Sequence, residues 1–443
     1  MSGENPREIA ARVLGRRENG RFIEDLLEAA MADSAMSQAD RRLCQELVYG
    51  VVRWQATLDW LIARKTQDRP QKQGLQNLLR LGLYQIFWLE RIPDHAVVHQ
   101  AVELARRSGF GPQSGFINAV LRGYLREADS TRNTLERLKT EQPWLGYSHP
   151  EWLASRWQSR WGQTPAAALM TWNNTPPRTF ARVNTLKADP GKLIEQWRDE
   201  NVEYDFIRRA WFDDNVVFEL KAFPPLHRLD SFRQGFFYVQ DPGTLLAVRE
   251  LAPAPGESIL DLCAAPGGKL TYIAQLMRNE GALVAHDTAV DRVRLIAENC
   301  ERLGVTCVRM LSSGPAGLAA PPVAASPAGG DLPKQFDKIL VDAPCSNTGV
   351  MRRRIDLRWR VRPAELERLR RGQLALLQEA AGLLKPVGSL VYSTCSLEPE
   401  ENEAVVKQFL ETHGDFSLES QRELTPFADG VDGAYVARLL RRP

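Results

Sequence analysis

SILDLCAAPGGKLTYIAQLMRNEGALVAHD, Ser258–Asp287, decides how the chain folds. A short apolar run, Ser258–Cys263, meets a Pro-Gly-Gly turn. A helical pattern, Leu270–Met277, follows it, and a second apolar run, Ala282–Asp287, comes next. Apolar strands alternating with helices imply a parallel sheet covered on both faces. Ligands of such sheets sit beyond the carboxyl ends of the strands. Both strand ends here carry suitable groups. Glycines at Gly267 and Gly268 let backbone N–H groups approach a ligand closely, and Asp287 is placed to accept the hydroxyls of a ribose. An ordinary strand-to-helix turn shares some of this pattern; the two features together point to an adenosine-type cofactor. The GxGxxG and Walker sequences are missing, which disfavours a nicotinamide or a nucleoside triphosphate.

Working outward, the alternation continues. Strands are expected at VTCVRM (Val305–Met310), FDKILVDAP (Phe336–Pro344), GSLVYSTC (Gly388–Cys395) and, at the C-terminus, DGAYVARLL (Asp432–Leu440). Helical patterns occupy Val290–Leu303 and Pro363–Leu384. GPAGLAAPPVAASPAGG, Gly314–Gly330, reads as a surface insertion. Residues 1–140 show helical spacing throughout. Ser37 is placed to cap a helix carrying Leu43, Leu47, Val48, Val51 and Val52, and the nearly all-apolar LQNLLRLGLYQIFWLERI from Leu75 reads as a central buried helix. Between the two lies a stretch of another texture, 145–240. It opens with Trp144, Trp152, Trp157, Trp161 and Trp172, is broken by Pro176-Pro177, and then alternates strand-like from Thr179 and from Asp214 around a helix at Pro190–Glu200. The expected architecture is therefore multidomain: an all-α domain over 1–140, a small α+β module over 145–240, and a Rossmann-like α/β domain over 241–443.

Composition narrows the class. The 443 residues are 44 % hydrophobic and 25 % charged with a net charge of +2, as in soluble globular proteins, so any nucleic-acid contact must come from local charge. No run approaches the roughly 18 apolar residues of a membrane span, and the first residues lack the apolar core of a secretion signal. The six cysteines include no Cys-x-x-Cys pair, which disfavours a zinc site and suits a reducing, cytoplasmic setting.

Two cysteines stand apart. DAPCS, Asp342–Ser346, and STCS, Ser393–Ser396, each end a predicted strand. Asp342, Cys345 and Cys395 should therefore meet the cofactor loop at one sheet edge. Such a set suits methylation at carbon 5 of cytosine, a poor nucleophile. A thiolate added to carbon 6 makes the ring enamine-like, a carboxyl group at N3 helps the ring accept that attack, and a second group helps remove the carbon 5 proton. Ser393, Thr394 and Ser396 give the thiol polar neighbours, although hydroxyls also cap strand ends routinely. The Pro-Cys cysteine, Cys345, is an alternative nucleophile, as in enzymes that act on DNA.

DLCAAPGGK (Asp261–Lys269), DAPCSNTGV and STCS followed by PEEN (Pro399–Asn402) resemble the signature motifs of the NOL/NOP2/Sun family of RNA cytosine-5 methyltransferases. FINAVLRGYL (Phe116–Leu125) within the helical domain resembles a NusB-like domain, and RTFARVNTLK with YVQDPGTLLA resembles a connecting RNA-binding subdomain. The layout over the whole chain resembles the family members that act on bacterial 16S ribosomal RNA. The resemblance implies Cys395 as nucleophile, Cys345 as the cysteine assisting product release and Asp342 as the acid contacting base and cofactor. It also implies an S-adenosyl-L-methionine site built from Cys263, Ala264, Ala265, Pro266, Gly267, Gly268, Lys269, Asp287 and Asp342. It further implies 16S ribosomal RNA as partner, bound early in small-subunit assembly, and a monomer that leaves DNA and membranes alone. One departure stands out: Ser312-Ser313 occupies the place of the family's Gly-Asp, whose carboxylate holds the adenine end of the cofactor. That departure is the sole sequence support for a non-catalytic ribosome-assembly factor. Nine arginines against three acids crowd residues 352–371. Arg352, Arg353 and Arg354 are expected to grip RNA phosphates and Trp359 to stack on a base, with a solvated helix face as the plainer reading of the later arginines.

Overall fold

The computed structural model describes residues 5–17, 21–32, 34, 36–312 and 333–443; the Gly314–Gly330 insertion and Ser313 lie outside them. The chain forms two compact units, Met1–Thr175 with Met351–Arg360, and Pro176–Val350 with Val361–Pro443. Among the described residues no helix is long and apolar enough to cross a membrane.

The first unit is helical. Ser37 caps the helix Gln38–Arg53 through the N–H of Asp40 at 3.1 Å. The helix Gln73–Trp88 is buried along most of its length, as its all-apolar pattern requires, and Leu78, Leu79, Leu83 and Ile86 join one large core with Val48, Val52, Leu61 and Val97. Expected helices recur at Asp94–Arg107 and Ser114–Arg126. The helices Glu151–Trp161 and Gln163–Asn173, in the tryptophan-rich stretch, lie within this compact unit. The segment just before them is hydrogen-bonded to the helical core. The Thr57 hydroxyl donates to the Leu145 carbonyl at 2.5 Å, and the Ala56 N–H donates to Ser148 Oγ at 3.0 Å.

Met351–Arg360 sets the three arginines expected to grip RNA in different surroundings. Arg352 is buried, 2 % exposed, with its guanidinium 3.9 Å from the centre of the Trp172 ring. Trp359 donates its indole N–H to the Val52 carbonyl at 2.7 Å and packs on the helical core, which occupies the ring expected to stack on a base. Arg353 is half-buried, and of the three arginines Arg354 alone is exposed. Arg358 is fully buried and donates to the carbonyls of Arg53, Ser148 and Asn173 and to Asn174 Oδ1, at 2.8–3.2 Å. Burial, with the Arg53 cation beside it, lowers its pKa to about 9.

The second unit holds two sheets. The smaller comprises β1 (Thr179–Val183), β2 (Glu203–Ile207), β3 (Val217–Ala222) and β4 (Phe237–Val239), antiparallel in the order β2-β3-β1-β4. Trp197, on the helix Pro190–Asp199, is buried against Phe218 and Phe237 of this sheet. The larger sheet comprises β5 (Ser258–Asp261), β6 (Ala282–Asp287), β7 (Val308–Ser312), β8 (Phe336–Asp342), β9 (Leu384–Thr394), β10 (Phe416–Leu424) and β11 (Ala434–Arg441). Its order is β10-β11-β9-β8-β5-β6-β7. The strands β7, β6, β5, β8 and β9 run parallel, and the C-terminal pair is antiparallel. From β5 the chain proceeds outward to β6 and β7, then returns to the other side as β8 and β9. The crevice at β5/β8 is thus a topological switch point, the place where such sheets bind ligands.

Removing the buried Arg358 guanidinium leaves four acceptors without their donor. Arg358→Met is expected to destabilise the helical unit by about 3 kcal/mol or more, whereas Arg354→Met at the exposed neighbour changes stability by less than about 0.5 kcal/mol. Urea titration followed by circular dichroism measures both.

Candidate active site

The loop Cys263–Gly267 leaves β5 and turns into the helix Gly268–Leu276. Gly267 takes φ +101°, which favours glycine, and a Cβ on Gly268 would lie 3.0 Å from the Tyr238 ring and 3.2 Å from the Gln240 amide. Beside it, β6 ends at Asp287, which is 3 % exposed; its Oδ2 accepts the Ala265 N–H at 3.2 Å. Two cavities flank the loop. One, of about 290 Å3, is lined by Leu262, Asp287, Arg292, Pro344 and Leu376; the other, of about 210 Å3, by Tyr238, Gln240, Asp261, Lys269 and Asp342. Cys263 lines both; the first is the more apolar end of the site and the second the charged end.

The second group of residues comes from β8 and β9. Their pairing sets Asp342 opposite Ser393 and ties the Ala343 N–H to the Ser393 carbonyl at 2.9 Å. The two loops therefore leave the sheet side by side, and Cys345 Sγ lies 3.3 Å from Cys395 Sγ. Cys345 is buried, and Cys395 is the more open of the two. The Cys395 thiol donates to Asn347 Oδ1 at 2.9 Å, while Asn347 Nδ2 donates to the Cys345 carbonyl at 2.8 Å. The hydrogen bond with Cys395, then burial, then the nearby Cys395 and Glu401 charges push the Cys345 pKa well up. Gly349 donates its N–H to the Cys395 carbonyl at 2.9 Å, and a Cβ there would sit 2.7 Å from that oxygen.

Lys269 joins the two groups. Its Nζ lies 2.6 Å from Asp342 Oδ2, and Asp342 Oδ1 accepts the Ser393 hydroxyl at 3.2 Å. Burial pulls the Lys269 pKa down; Asp342 foremost, then Cys395 and Asp261, more than restores it, so the net shift is upward. Asp261, one turn of chain away, is fully enclosed. Burial first, and the Asp342 carboxylate second, raise its pKa to about 8. Every residue expected at the cofactor loop and at the two cysteine motifs thus lies along one sheet edge, and the arginines Arg352, Arg353 and Arg354 lie in the helical unit. Sequence reasoning passed over Asn347, Glu401 and Gln373. The first two sit inside motifs it had quoted, DAPCSNTGV and PEEN, where their polar side chains were the available signal.

Comparison with known proteins places this arrangement. Residues 248–440 match the model of the 16S rRNA methyltransferase RsmB/F family, residues 4–126 the NusB family, and residues 149–217 the ferredoxin-like domain of RsmF/B-like methyltransferases. Over 467 aligned residues the chain is 34 % identical to the probable ribosomal RNA small subunit methyltransferase B of Bacillus subtilis, covering 100 % of both proteins. The chain belongs to the RsmB/F family of ribosomal RNA small-subunit methyltransferases. The family relative from Escherichia coli O1:K1, ribosomal RNA small subunit methyltransferase B, is 32 % identical over 99 % of each chain. A methyltransferase homologue from Pyrococcus horikoshii superposes with a TM-score of 0.57 at 30 % identity, over 67 % of this chain and 97 % of that one. The family has the layout expected from the sequence: a NusB-like domain, a ferredoxin-like subdomain and a Rossmann-like methyltransferase domain.

The raised pKa of Asp261 has a consequence for stability. A carboxyl that holds its proton more tightly when folded stabilises the fold below about pH 4, and that contribution is lost as pH rises toward about 8. Asp261→Asn removes the titration. Its urea midpoint is expected to fall less between pH 4 and 8 than that of the parent protein; parallel curves would show that Asp261 does not titrate in this range.

Proposed function

We propose that the protein transfers a methyl group from S-adenosylmethionine to carbon 5 of a cytosine in 16S ribosomal RNA, through a covalent bond between Cys395 and carbon 6 of that base. The observation that carries the proposal is the pair of thiols 3.3 Å apart, one half-buried and one buried, beside the Lys269–Asp342 ion pair. Membership of a ribosomal RNA methyltransferase family supports the substrate class and the donor.

The residues present fit the donor. Its adenosine suits the more apolar end of the site, with Asp287 as acceptor for the ribose hydroxyls, and its charged amino-acid end suits the lobe holding Asp261 and Gln240. S-adenosylmethionine supplies, when bound, a methyl carbon made electrophilic by its sulfonium.

In the proposed reaction Cys395 gives up its proton to solvent and its sulfur bonds to carbon 6, which moves the ring electron pair to carbon 5. Asp342 faces the N3 side of the base and relays one proton from solvent to N3, and Lys269, 2.6 Å from its Oδ2, holds the carboxyl in place. Carbon 5 takes the methyl group. Water then removes the carbon 5 proton, that pair re-forms the 5,6 double bond, the carbon 6–sulfur pair returns to Cys395 as its thiolate, and N3 gives its proton back through Asp342. Cys345, 3.3 Å from that sulfur, assists this release. The assignment follows from proton affinity and access. The thiolate is the attacking species, and Cys345, buried with its pKa pushed up, is poorly suited to supply one. The target cytosine must be unpaired or flipped out to reach the thiol.

Cys395→Ala is expected to abolish methylation of an unmodified 16S transcript, measured with radiolabelled donor. Cys345→Ala is expected to let a protein–RNA adduct accumulate as a retarded gel band; the opposite pattern would assign the nucleophile to Cys345. Asp287→Ala is expected to weaken donor binding about 10- to 100-fold, from the loss of charge-assisted hydrogen bonds to the ribose. Isothermal titration of the donor into the RNA-free protein reads that change directly.

A further inference from the structure

We infer that Glu401 is a positioning residue for this reaction: its buried carboxylate ties together the residues that follow the two thiols and so fixes Cys345 against Cys395. The inference rests on the covalent reading given above and extends it.

Glu401 is 0 % exposed. Its Oε1 accepts the Ser346 N–H at 2.9 Å and the Gln373 side-chain amide at 3.0 Å. Its Oε2 accepts the Ser396 hydroxyl at 2.5 Å and the Ser346 hydroxyl as well. One carboxylate thus holds Ser346, next to Cys345, and Ser396, next to Cys395. Four hydrogen bonds, rather than an ion pair, compensate its buried charge, and a buried carboxylate is costly unless so satisfied. The same short helix, Pro399–Glu401, is anchored on β9 from below. Tyr392 donates its hydroxyl to the Glu401 carbonyl at 2.6 Å, Thr394 donates to Asn402 Oδ1 at 2.6 Å, and Asn402 Nδ2 donates to the Ser396 carbonyl at 2.9 Å.

The two thiols ride on separate loops, after β8 and after β9. Strand register sets where each loop begins. Beyond the strand ends, side-chain links across the gap among the described residues include the Glu401 clasp, the Ser346–Ser396 hydroxyl contact at 3.1 Å, the Thr348–Ser396 hydroxyl contact at 3.4 Å, the Leu397 N–H donated to Thr348 Oγ1 at 2.8 Å, the Asn347–Cys395 bond and the Cys345–Cys395 contact itself. Ser396 Oγ donates to Glu401 and accepts the Glu398 N–H at 3.0 Å, so losing the carboxylate also loosens this hydroxyl pair. A glutamine at 401 can keep the clasp. Its carbonyl can accept from Ser346 N–H and Gln373, while its amide donates to the two serine oxygens, whose hydroxyls can turn.

The experiment compares Glu401→Ala and Glu401→Gln in the full chain, using 16S transcript and S-adenosylmethionine. Misplacing a reacting group by about 1 Å costs on the order of 100-fold in rate. Glu401→Ala is therefore expected to lower kcat about 100-fold, with the donor Kd and the RNA KM within about twofold of the parent, and Glu401→Gln to recover kcat to within about fivefold. Donor binding reads the folded state of the same domain, so a loss of donor affinity matching the loss of kcat would assign Glu401 a general structural role and overturn the inference. A kcat unchanged in Glu401→Ala, or equally low in both variants, would overturn it too. Cys395→Ala run in parallel separates the two readings. If that variant still methylates, the covalent reading fails; if it is inactive while Glu401→Ala matches the parent, the inference about Glu401 alone fails.

Discussion

The parallel pairing of β8 with β9 is the constraint on which the site depends. It sets Asp342 opposite Ser393, so the loops carrying Cys345 and Cys395 emerge at the same level of the sheet. Side chains alternate faces along a strand, and a slip of one residue would turn Asp342 and Ser393 to the opposite faces of the sheet. The buried runs Ile339–Val341 and Leu390–Tyr392 hold the register by packing on both faces: Ile339, Val341, Leu390 and Tyr392 lie in the core with Leu377 and Phe409, and Leu340 and Val391 lie in the core on the other face. Hydrophobic packing deep in the domain therefore determines a distance between two sulfur atoms at its edge.

The site separates two thiols by environment. Cys345 is enclosed, hydrogen-bonded to Cys395 and close to the Glu401 charge, and its proton affinity rises. Cys395 is more open, beside the Asn347 amide and within the field of the Lys269 ammonium. Lys269 is also the link between the ligand cavities and the cysteines, since it starts the helix after the Gly267-Gly268 turn and ends in an ion pair with Asp342. Charge on one side of this edge is thus felt on the other. The enclosed Asp261, with its pKa near 8, belongs to the same field.

Much of this was readable in the sequence because the relevant patterns are strong locally. Leu270–Met277, Val290–Leu303 and Pro363–Leu384 stand within two residues of the helices observed; the strand expected at Ala282–Asp287 is observed with those bounds, while those expected to reach Pro344 and Cys395 end at Asp342 and Thr394, where their Cys-bearing turns begin. β2, β4 and β10 were missed: β4 is only three residues long, and Glu203–Ile207 and Phe416–Leu424 are rich in exposed polar side chains and lie at the edges of their sheets, where one side of the ladder has no apolar demand. The arginines misled for a related reason. Local charge predicts solvent exposure, but Arg352 and Arg358 are buried by partners more than 170 residues away, the Trp172 ring and carbonyls such as Ser148, which no window of sequence reveals. Glu401 was hidden in the same way: its four donors come from the loops after β8 and β9 and from the helix Pro363–Leu383.

The most direct test of the account replaces the target cytosine of a 16S fragment with 5-fluorocytosine. Fluorine at carbon 5 takes the place of the proton that must leave, so the covalent bond to carbon 6 persists after methyl transfer. Peptide mass spectrometry of the digested complex then locates the attached nucleotide. The account predicts it on the peptide containing Cys395. A nucleotide on Cys345, or none on either cysteine while the donor is consumed on unmodified RNA, would contradict it.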